Sequence, residues 1–190
     1  MTSADDSEDA VTAGPADFAR ACVICCVKGR PLPDPPADAL YGQTAACFVS
    51  LKKCGELRGC IGTLEPAEVD LGREIARNAR SSAFFDPRFH RVRADELETI
   101  RCSVDVLSES APCELTDLDP ARYGVIVHSG LRRGVLLPDL DGVDTVGQQV
   151  GIALQKAGID PDEPFSLERF TVSRYLEGDA PRDDDPDAGG

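Results

Sequence analysis

The sequence lacks several features that would point directly to a class of protein. No run of apolar residues approaches the ~18–20 that span a bilayer, which argues against a membrane protein. Lys and Arg number 20 against 34 Asp and Glu, for a net charge of -14. A domain-wide basic surface for DNA or RNA is therefore missing, although a local basic patch stays open. The acidic, polar first residues do not resemble a secretory signal. Together these absences predict a cytoplasmic, globular protein.

Motifs of several well-known sites are missing as well. The sequence has no Walker loop, dinucleotide fingerprint or EF-hand loop, and no Gly-x-Ser-x-Gly nucleophile elbow. Cys22, Cys25 and Cys26 have the spacing of half a zinc site, but no second Cys-x-x-Cys or His pair completes the four ligands. Without an export signal, a disulfide framework is not expected for the 8 cysteines. We therefore predict no metal and no cofactor.

Acidic residues are concentrated at both ends of the chain. Residues 1–17 hold five acidic residues and no basic one, and 177–190 hold six acidic residues against one arginine. Both end segments are also poor in large apolar residues, which is typical of disordered chain. This composition predicts acidic, disordered tails at 1–16 and 178–190 around one folded domain at 17–177.

Apolar periodicity and turn residues outline the secondary structure. Helices are predicted at 17–28, 68–84 and 144–157, where apolar residues recur on one face. Strands are predicted at 45–51, 57–61, 99–107, 124–128 and 134–137, and Phe170 and Val172 mark a last strand. The proline-rich stretch 30–39 predicts an extended linker. Two segments that begin with Leu-Arg, at Leu57 and at Leu131, are each followed by a short apolar stretch, a proline and a helix. This similarity arises by chance, or it indicates two related α+β halves.

The most unusual segment is the string LRGCIGT, which ends at Thr63. Its two glycines, Gly59 and Gly62, allow close approach of a ligand to the backbone, and successive amides from Gly59 to Thr63 could form an anion nest. In an extended strand Arg58 and Cys60 lie on the same face, where the guanidinium group favours the reactive thiolate. The alternative is a tight hairpin with a buried cysteine, because free cysteine is among the most buried residue types.

A second group of candidate residues follows the longest predicted helix. An Asp-Pro step at Asp86 ends that helix, and the side chains of Arg88 and His90 could point into a cleft. His90 would act as general base for Cys60 if the two lie within hydrogen-bond reach. The alternative is structural: Asp86 caps the turn, Arg88 pairs with a carboxylate and His90 is exposed to solvent. The pattern favours a structural role for Asp86 and leaves Arg88 open.

Several segments resemble the AMMECR family, the AMME chromosomal region proteins, and they occur in the family's order. They are LRGCIGT, the segment SSAFFDPRF at 81–89, Glu96-Leu97 with the strand ending at Leu107, GVLLP at 134–138 and Lys-Ala-Gly at 156–158. The resemblance covers residues 17–177. It implies an α+β fold with two α/β subdomains around a mainly antiparallel sheet and a cleft near the LRGCIG motif.

The resemblance also carries expectations about partners. The chain resembles the protein A type of the bacterial and archaeal AmmeMemoRadiSam system. In many bacteria and archaea such relatives are associated with a Memo-like protein and a radical-SAM protein, and no activity is securely assigned to the family. Family members often carry Trp near the position of Asp141–Asp144, whereas this sequence has no Trp. That departure weakens the case for a partner contact there.

These candidate residues and the family resemblance suggest three alternative functions. The first is a thiol-dependent enzyme with Cys60 as catalytic nucleophile. The second is a binder of an anionic small molecule or nucleotide, and the third is an adaptor for a Memo-like or radical-SAM partner. We rank a function in the cleft above a pure adaptor. The residues predicted to hold the substrate or ligand are Arg58, Gly59, Gly62, Thr63 and Arg88. Basic residues near two predicted turns would form a small basic cleft if they lie close together. The alternative is that they are separate charges exposed to solvent. They are Lys52, Lys53, Arg58, Arg88, Arg132 and Arg133.

Overall fold

Two compact units make up the described part of the chain. The structure, a computed structural model, describes residues 14–179. The first unit comprises 14–104 with 175–179, and the second is Asp105–Arg174. The helices in these residues are α1 (Pro15–Val27), α2 (Ala39–Gly42), α3 (Leu71–Phe84) and α4 (Val146–Ala157). The strands are β1 (Cys47–Lys53), β2 (Glu56–Gly62), β3 (Ile100–Leu107), β4 (Ala111–Cys113), β5 (Gly124–Ser129), β6 (Arg132–Leu136), β7 (Ser166–Phe170) and β8 (Val172–Leu176).

The strands form two four-stranded sheets, in the orders β2-β1-β3-β8 and β4-β7-β5-β6. β2 is antiparallel to β1, β7 is antiparallel to both β4 and β5, and β6 is antiparallel to β5. The expected α+β class with mainly antiparallel strands is confirmed, with the strands divided between two sheets. The order strand, turn, strand, helix recurs along the chain, as β1, β2 and α3 in the first unit and as β5, β6 and α4 in the second.

In the first unit, α3 packs on β1 and β2, and α1 packs on α3. The N-cap of α3 is Asp70, whose side chain accepts a hydrogen bond from the amide of Arg73 at 2.8 Å. The apolar stripe predicted for this helix is confirmed, because its members are all buried: Leu71, Ile75, Ala79 and Ala83. The stripe fixes the rotation of α3 about its axis, and so decides which of its polar side chains face β1 and β2.

A two-residue turn joins β1 to β2. Cys54 and Gly55 both adopt positive φ, at 52° and 86°. Two successive residues in this conformation are typical of the type I′ turn, whose twist suits a tight hairpin. The strands therefore extend closer to the turn than the predicted bounds of 45–51 and 57–61.

In the second unit, α4 packs on β5 and β6. Thr145 and Gln148 form a capping box, in which the amide of Gln148 donates to Thr145 Oγ1 at 3.2 Å and the amide of Thr145 donates to Gln148 Oε1 at 3.0 Å. Gly158 ends the helix in the left-handed conformation, with φ 65°. The core of this unit consists of buried apolar residues: Leu118, Val125, Val127, Leu136, Val150, Ala153, Leu154, Ile159 and Leu167.

The structure differs from the predictions at several element ends. α1 begins at Pro15 rather than Asp17, because proline suits the first turn of a helix. Residues 30–36 have neither helix nor strand, as predicted for the linker, but α2 follows soon after with Asp38 as its N-cap. The predicted last strand is in fact two strands, β7 and β8, in different sheets. β4 was not predicted, because three residues are too few to show a period of two.

The predicted tails, 1–16 and 178–190, lie almost wholly outside the described residues and stay predictions there. Where they overlap with the structure, Pro15 and Ala16 already belong to α1. At the other end, the amide of Gly178 donates a hydrogen bond to Asp17 Oδ2 at 3.1 Å. None of the helices between residues 14 and 179 is long and apolar enough to cross a membrane.

Candidate functional site

The LRGCIGT segment forms most of β2, an edge strand of the first sheet. Ser50 of β1 lies directly opposite Cys60 of β2. The Ser50 hydroxyl donates a hydrogen bond to Cys60 Sγ at 3.2 Å. Cys60 is half-buried, so the predicted tight hairpin is present but its thiol is not in the core. The thiol is held against its cross-strand neighbour.

A β-bulge interrupts the pairing of β2 with β1 at Arg58. Leu51 pairs with Gly59 while Lys52 pairs with Leu57, which leaves Arg58 as the extra residue of the bulge. A bulge changes the direction of the side chain that it carries. The simple alternation that would place Arg58 and Cys60 on one face therefore does not apply here.

Arg58 is instead bound by Glu96, which lies in a 3-10 turn before β3. The guanidinium Nε and Nη2 of Arg58 donate to the two Glu96 carboxylate oxygens at 3.0 and 2.9 Å. Lys53 Nζ and the amide of Arg93 donate to the same carboxylate at 3.1 and 3.0 Å. The hydrogen bond from Arg58 is the largest of the effects that lower the pKa of Glu96 from 4.5 to about 2. The guanidinium group that was predicted to activate Cys60 is thus paired with Glu96, and its role toward the thiol stays a prediction.

Asp86 is the partner of the thiol-bearing residue. It is buried, and its Oδ2 accepts a hydrogen bond from the amide of Cys60 at 2.9 Å. Arg88 Nε and Nη2 donate to the two Asp86 oxygens at 3.0 and 2.8 Å. These guanidinium hydrogen bonds, together with those from backbone amides, hold the pKa of Asp86 well below its usual range. Asp86 therefore has the structural role that the sequence favoured.

Arg88 is a cation that contacts the backbone of Cys60. Its Nη2 also donates to the carbonyl oxygen of Cys60 at 3.2 Å. The pKa of Arg88 is raised above its usual value, chiefly by the hydrogen bond to Asp86 and to a smaller extent by the Cys60 side chain. A guanidinium group therefore lies beside Cys60, but it belongs to Arg88 and is paired with Asp86.

A row of polar side chains on α3 forms hydrogen bonds with the LRGCIGT segment. Ser82 Oγ accepts a hydrogen bond from the amide of Ile61 at 2.8 Å and donates to the carbonyl of Val49 at 2.7 Å. The hydroxyl of Thr63 donates to the fully buried Glu74. Together, Glu74, Asn78 and Ser82, which recur at a spacing of four, form what we call the polar stripe of α3. It lies beside the apolar stripe and binds β1 and β2 instead of packing in the core.

The predicted anion nest is not formed. The amide of Cys60 donates to Asp86, that of Ile61 to Ser82, and that of Thr63 to the carbonyl of Cys47 at 3.1 Å. These amides already have acceptors within the fold. They hold β2 in place and do not face an incoming ligand.

The two motif glycines are required by close packing. A Cβ atom on Gly59 would lie 2.3 Å from the carbonyl oxygen of Ser82, and one on Gly62 would lie 2.3 Å from the ring of Phe48. Neither glycine adopts positive φ. The small size of Gly59 therefore lets α3 approach β2.

A cavity of about 340 Å³ lies beside β2, and we call it the motif cavity. It is lined by Arg58, Pro87, Arg88, Phe89 and His90. The guanidinium of Arg88 lies over the Phe89 ring, 5.4 Å from its centroid, and its side chain is 56% exposed. His90 is exposed, as in the structural alternative. Two predicted ligand residues, Arg58 and Arg88, thus meet in one cavity, whereas Cys60 does not line it.

The remaining candidates are spread over other parts of the fold. Cys22 is buried, and burial is the largest effect that raises its pKa to about 12, while Cys25 and Cys26 are half-buried. Among the described residues, no group of three or more His, Cys, Asp and Glu is placed to hold a metal ion. Arg132, in the second unit, pairs with Glu163 and donates to the carbonyl of Gly158 at 2.8 Å.

Glu96, Glu74 and Ser82 were missed by sequence reasoning. For Glu74 and Ser82 a signal existed, because both recur with Asn78 at a spacing of four on a helix, the spacing of one helical face. For Glu96 no local signal existed, since its partner Arg58 is 38 residues away in the chain.

The fold and the motif cavity can be compared with known proteins. The family model AMMECR1 matches residues 16–177. The chain belongs to the AMMECR1 family. Among AMMECR1-family relatives, a Thermotoga maritima protein is 50% identical over 141 residues, which cover 73% of this chain and 81% of that protein. The crystal structure of an uncharacterised protein from Pyrococcus horikoshii superposes with a TM-score of 0.77 at 25% identity, covering 90% of this chain and 93% of the other.

One relative is much longer than the matched region. A protein from Clostridium acetobutylicum is 47% identical over 146 residues, which cover 77% of this chain but only 31% of that protein. In that relative, the AMMECR1 domain is therefore joined to a larger polypeptide.

Proposed function

We propose that this AMMECR1-family chain binds a small anionic molecule in the motif cavity. The observation that carries the proposal is that two arginines, Arg58 and Arg88, line this cavity, and that Nη1 of Arg58 has no hydrogen-bond partner among the described residues. The other two guanidinium nitrogens of Arg58 bind Glu96. A buried donor without an acceptor is unfavourable by ~1–3 kcal/mol. A small shift of the Arg58 side chain would let Nη1 reach a ligand oxygen and remove that penalty, while the exposed Arg88 offers a second guanidinium group to the same cavity.

Charge balance and size limit the ligand. Asp86 neutralises Arg88, and Glu96 neutralises one of its two cationic partners, Arg58 and Lys53. One excess positive charge remains, which favours a carboxylate or a single phosphate group over a polyphosphate. The volume of about 340 Å³ is near the lower end of the ~300–1,000 Å³ of ligand pockets. A small metabolite with one anionic group fits these limits.

Binding of inorganic phosphate and of AMP, each titrated by calorimetry, tests the proposal. Arg88→Gln is the informative variant, because Arg88 is 56% exposed, whereas Arg58→Gln would remove a buried partner of Glu96. Because Arg88→Gln also removes the partner of the buried Asp86, circular dichroism first establishes that this variant is folded. Arg93→Gln is the matched control, since Arg93 is 79% exposed, pairs within residues 14–179 only with the exposed Asp95, and does not line the cavity. We expect at least one probe to bind the parent chain and Arg93→Gln equally, and Arg88→Gln at least ~10-fold more weakly, the loss of one charge-assisted hydrogen bond. Equal affinity in Arg88→Gln, or no binding of either probe, would overturn the proposal.

Thiol chemistry at Cys60 is a second candidate, favoured by the nearness of Arg88. A guanidinium beside a thiol stabilises the thiolate, but here Asp86 offsets that charge. The rate of alkylation as a function of pH, followed for each cysteine by mass spectrometry, distinguishes an activated Cys60 thiol from an ordinary one. If Cys60 reacts fastest below pH 7 and Arg88→Gln slows it, thiol chemistry gains support. If Cys54 in the exposed turn reacts faster than Cys60 throughout, Cys60 is not an activated nucleophile.

An adaptor role is the third candidate, and the long Clostridium relative favours it. A domain that is covalently joined to another polypeptide in one relative can bind a separate partner in another. Memo-like and radical-SAM proteins are the partners expected from the family resemblance. Sedimentation of this chain with each of them tests the idea, and separate sedimentation at micromolar concentration contradicts it.

A further inference from the structure

The first unit contains a second cavity system, distant in sequence from the LRGCIGT string, which we call the arginine groove. Two cavities of about 490 and 570 Å³ adjoin, because Leu32, Arg80 and Phe85 line both. One continues to Arg30, Arg91 and Cys26, and the other to Arg73, Arg77 and the proline-rich segment at 33–35. An elongated groove of this kind suits an extended chain better than a compact small molecule.

The groove is basic although the chain as a whole is acidic. Five arginines line it against two carboxylates, those of Asp34 and Glu68. Within residues 14–179, Arg30, Arg80 and Arg91 have no carboxylate at ion-pair distance. The other two are only loosely paired: Arg77 lies 3.7 Å from Glu68 and 3.9 Å from Glu74, and Arg73 lies 3.6 Å from Asp70. The three unpaired guanidinium groups are therefore ready to receive anions.

The groove also offers apolar anchor points. Phe85 is 55% exposed and Leu32 is 40% exposed, which is high for large apolar residues. The guanidinium of Arg80 lies 5.7 Å from the centroid of the Phe85 ring. Exposed apolar residues among cations are typical of a binding surface.

These features favour an acidic peptide over a nucleic acid. The net charge of -14 repels a long polyanion, and Asp34 and Glu68 interrupt the basic lining at one end. The ring of Phe85 is already covered by Arg80, whereas single-stranded nucleic acids are held by bases that stack on open aromatic rings. A peptide can match the lining locally, with carboxylates opposite the arginines and small residues elsewhere.

We propose that the arginine groove binds an acidic peptide and that its occupant is the chain's own N-terminal segment, residues 1–13. That segment carries Asp5, Asp6, Glu8 and Asp9 and no basic residue. It joins the fold at Gly14, the N-cap of α1, while Cys26 at the other end of α1 lines the groove. The 13 residues of α1 span about 20 Å at ~1.5 Å each.

The length of the segment is sufficient for this path. Thirteen extended residues reach about 43 Å at ~3.3 Å each. About six of them are needed to run the length of α1, which leaves the stretch with Asp5, Asp6 and Glu8 at the groove. Tethering to the same chain raises the effective concentration of the segment to roughly millimolar, so a weak interaction is enough to fill the site.

Backbone amide NMR shifts test the proposal on the full chain. The comparison variant lacks residues 1–12, a deletion that stops before Gly14 and leaves α1 intact. We expect the amides of Arg30, Arg80 and Phe85 to shift between the two, and the difference to disappear near 1 M NaCl, where the Debye length falls to ~3 Å. The synthetic peptide 1–13, added to the shortened chain, restores the shifts.

Matched variants separate docking from a general effect of charge. The full chain with D5N, D6N, E8Q and D9N together should resemble the shortened chain at the groove. So should the full chain with R73Q and R91Q, two groove residues whose replacement keeps the reporters Arg30, Arg80 and Phe85. Removal of residues 182–190 should leave the groove amides unchanged. Shift changes confined to the first turn of α1 would overturn the proposal. So would a groove that responds to a ten-nucleotide oligouridine but not to the peptide.

Discussion

Replacing Glu96 by glutamine is expected to destabilise the protein strongly at neutral pH and hardly at all in acid. A pKa lowered from 4.5 to about 2 corresponds to roughly 3 kcal/mol of stability at pH 7, at ~1.4 kcal/mol per pH unit. The folded pKa is the lower one, so this contribution is complete above about pH 4.5 and is lost as the pH falls toward 2. Glutamine keeps one oxygen as an acceptor for Arg58, which reduces the expected loss to ~2–3 kcal/mol.

Urea unfolding of the parent chain and Glu96→Gln at pH 7, 5, 4 and 3 measures this difference. The matched control is Asp95→Asn, since the adjacent Asp95 is 72% exposed and its one ion pair among the described residues is with the exposed Arg93. Exposed pairs contribute ~0–1 kcal/mol, so this variant should stay close to the parent at every pH. The reasoning is refuted if Glu96→Gln loses less than ~0.5 kcal/mol at pH 7, or if its loss is as large at pH 3 as at pH 7.

Two further predictions concern packing and thiol reactivity. Gly59→Ala should destabilise by at least ~1–3 kcal/mol, because its Cβ would lie 2.3 Å from the Ser82 carbonyl oxygen. Gly151→Ala, in the middle of α4 with open space around it, should instead stabilise by up to ~1 kcal/mol; urea unfolding compares them, and equal losses would contradict the packing argument. Cys102, whose pKa is raised to about 12 chiefly by burial, should resist iodoacetamide at pH 8 until the protein unfolds, whereas the exposed Cys54 reacts at once. Rapid labelling of Cys102 in the folded protein would show that the first unit opens locally.

The sequence predicted the parts of the fold that depend on local pattern. The apolar stripe of α3 was visible because Leu71, Ile75, Ala79 and Ala83 repeat with the period of a helix. The hairpin of β1 and β2 was visible because its turn contains Gly55 between two apolar runs. Both follow from residues that are close together in the chain.

The candidate site depended on contacts that a pattern does not show. The two predicted ligand residues Arg58 and Arg88 do line one cavity. Their partners, however, could not be inferred, because the bulge at Arg58 shifts the alternation of β2 and Glu96 comes from a remote turn. The glycines and amides of the motif pointed to a ligand, whereas in the structure they serve the contact of β2 with α3. Tertiary packing, which a local sequence pattern does not show, determines the partners of these residues.

The ion pair between Arg58 and Glu96 limits the substitutions that are tolerated at these two positions during evolution. The charged groups of Arg58 and Glu96 have little access to water, since the two side chains are 15% and 11% exposed, respectively. Each is the main partner of the other. Loss of Glu96 alone leaves Arg58 without a carboxylate partner among the described residues, and loss of Arg58 alone leaves Lys53 as the remaining cationic partner of Glu96. Either loss is more damaging than replacing both residues by apolar ones. The two positions should therefore be inherited as a pair, 38 residues apart, so that a relative without the arginine also lacks the acid.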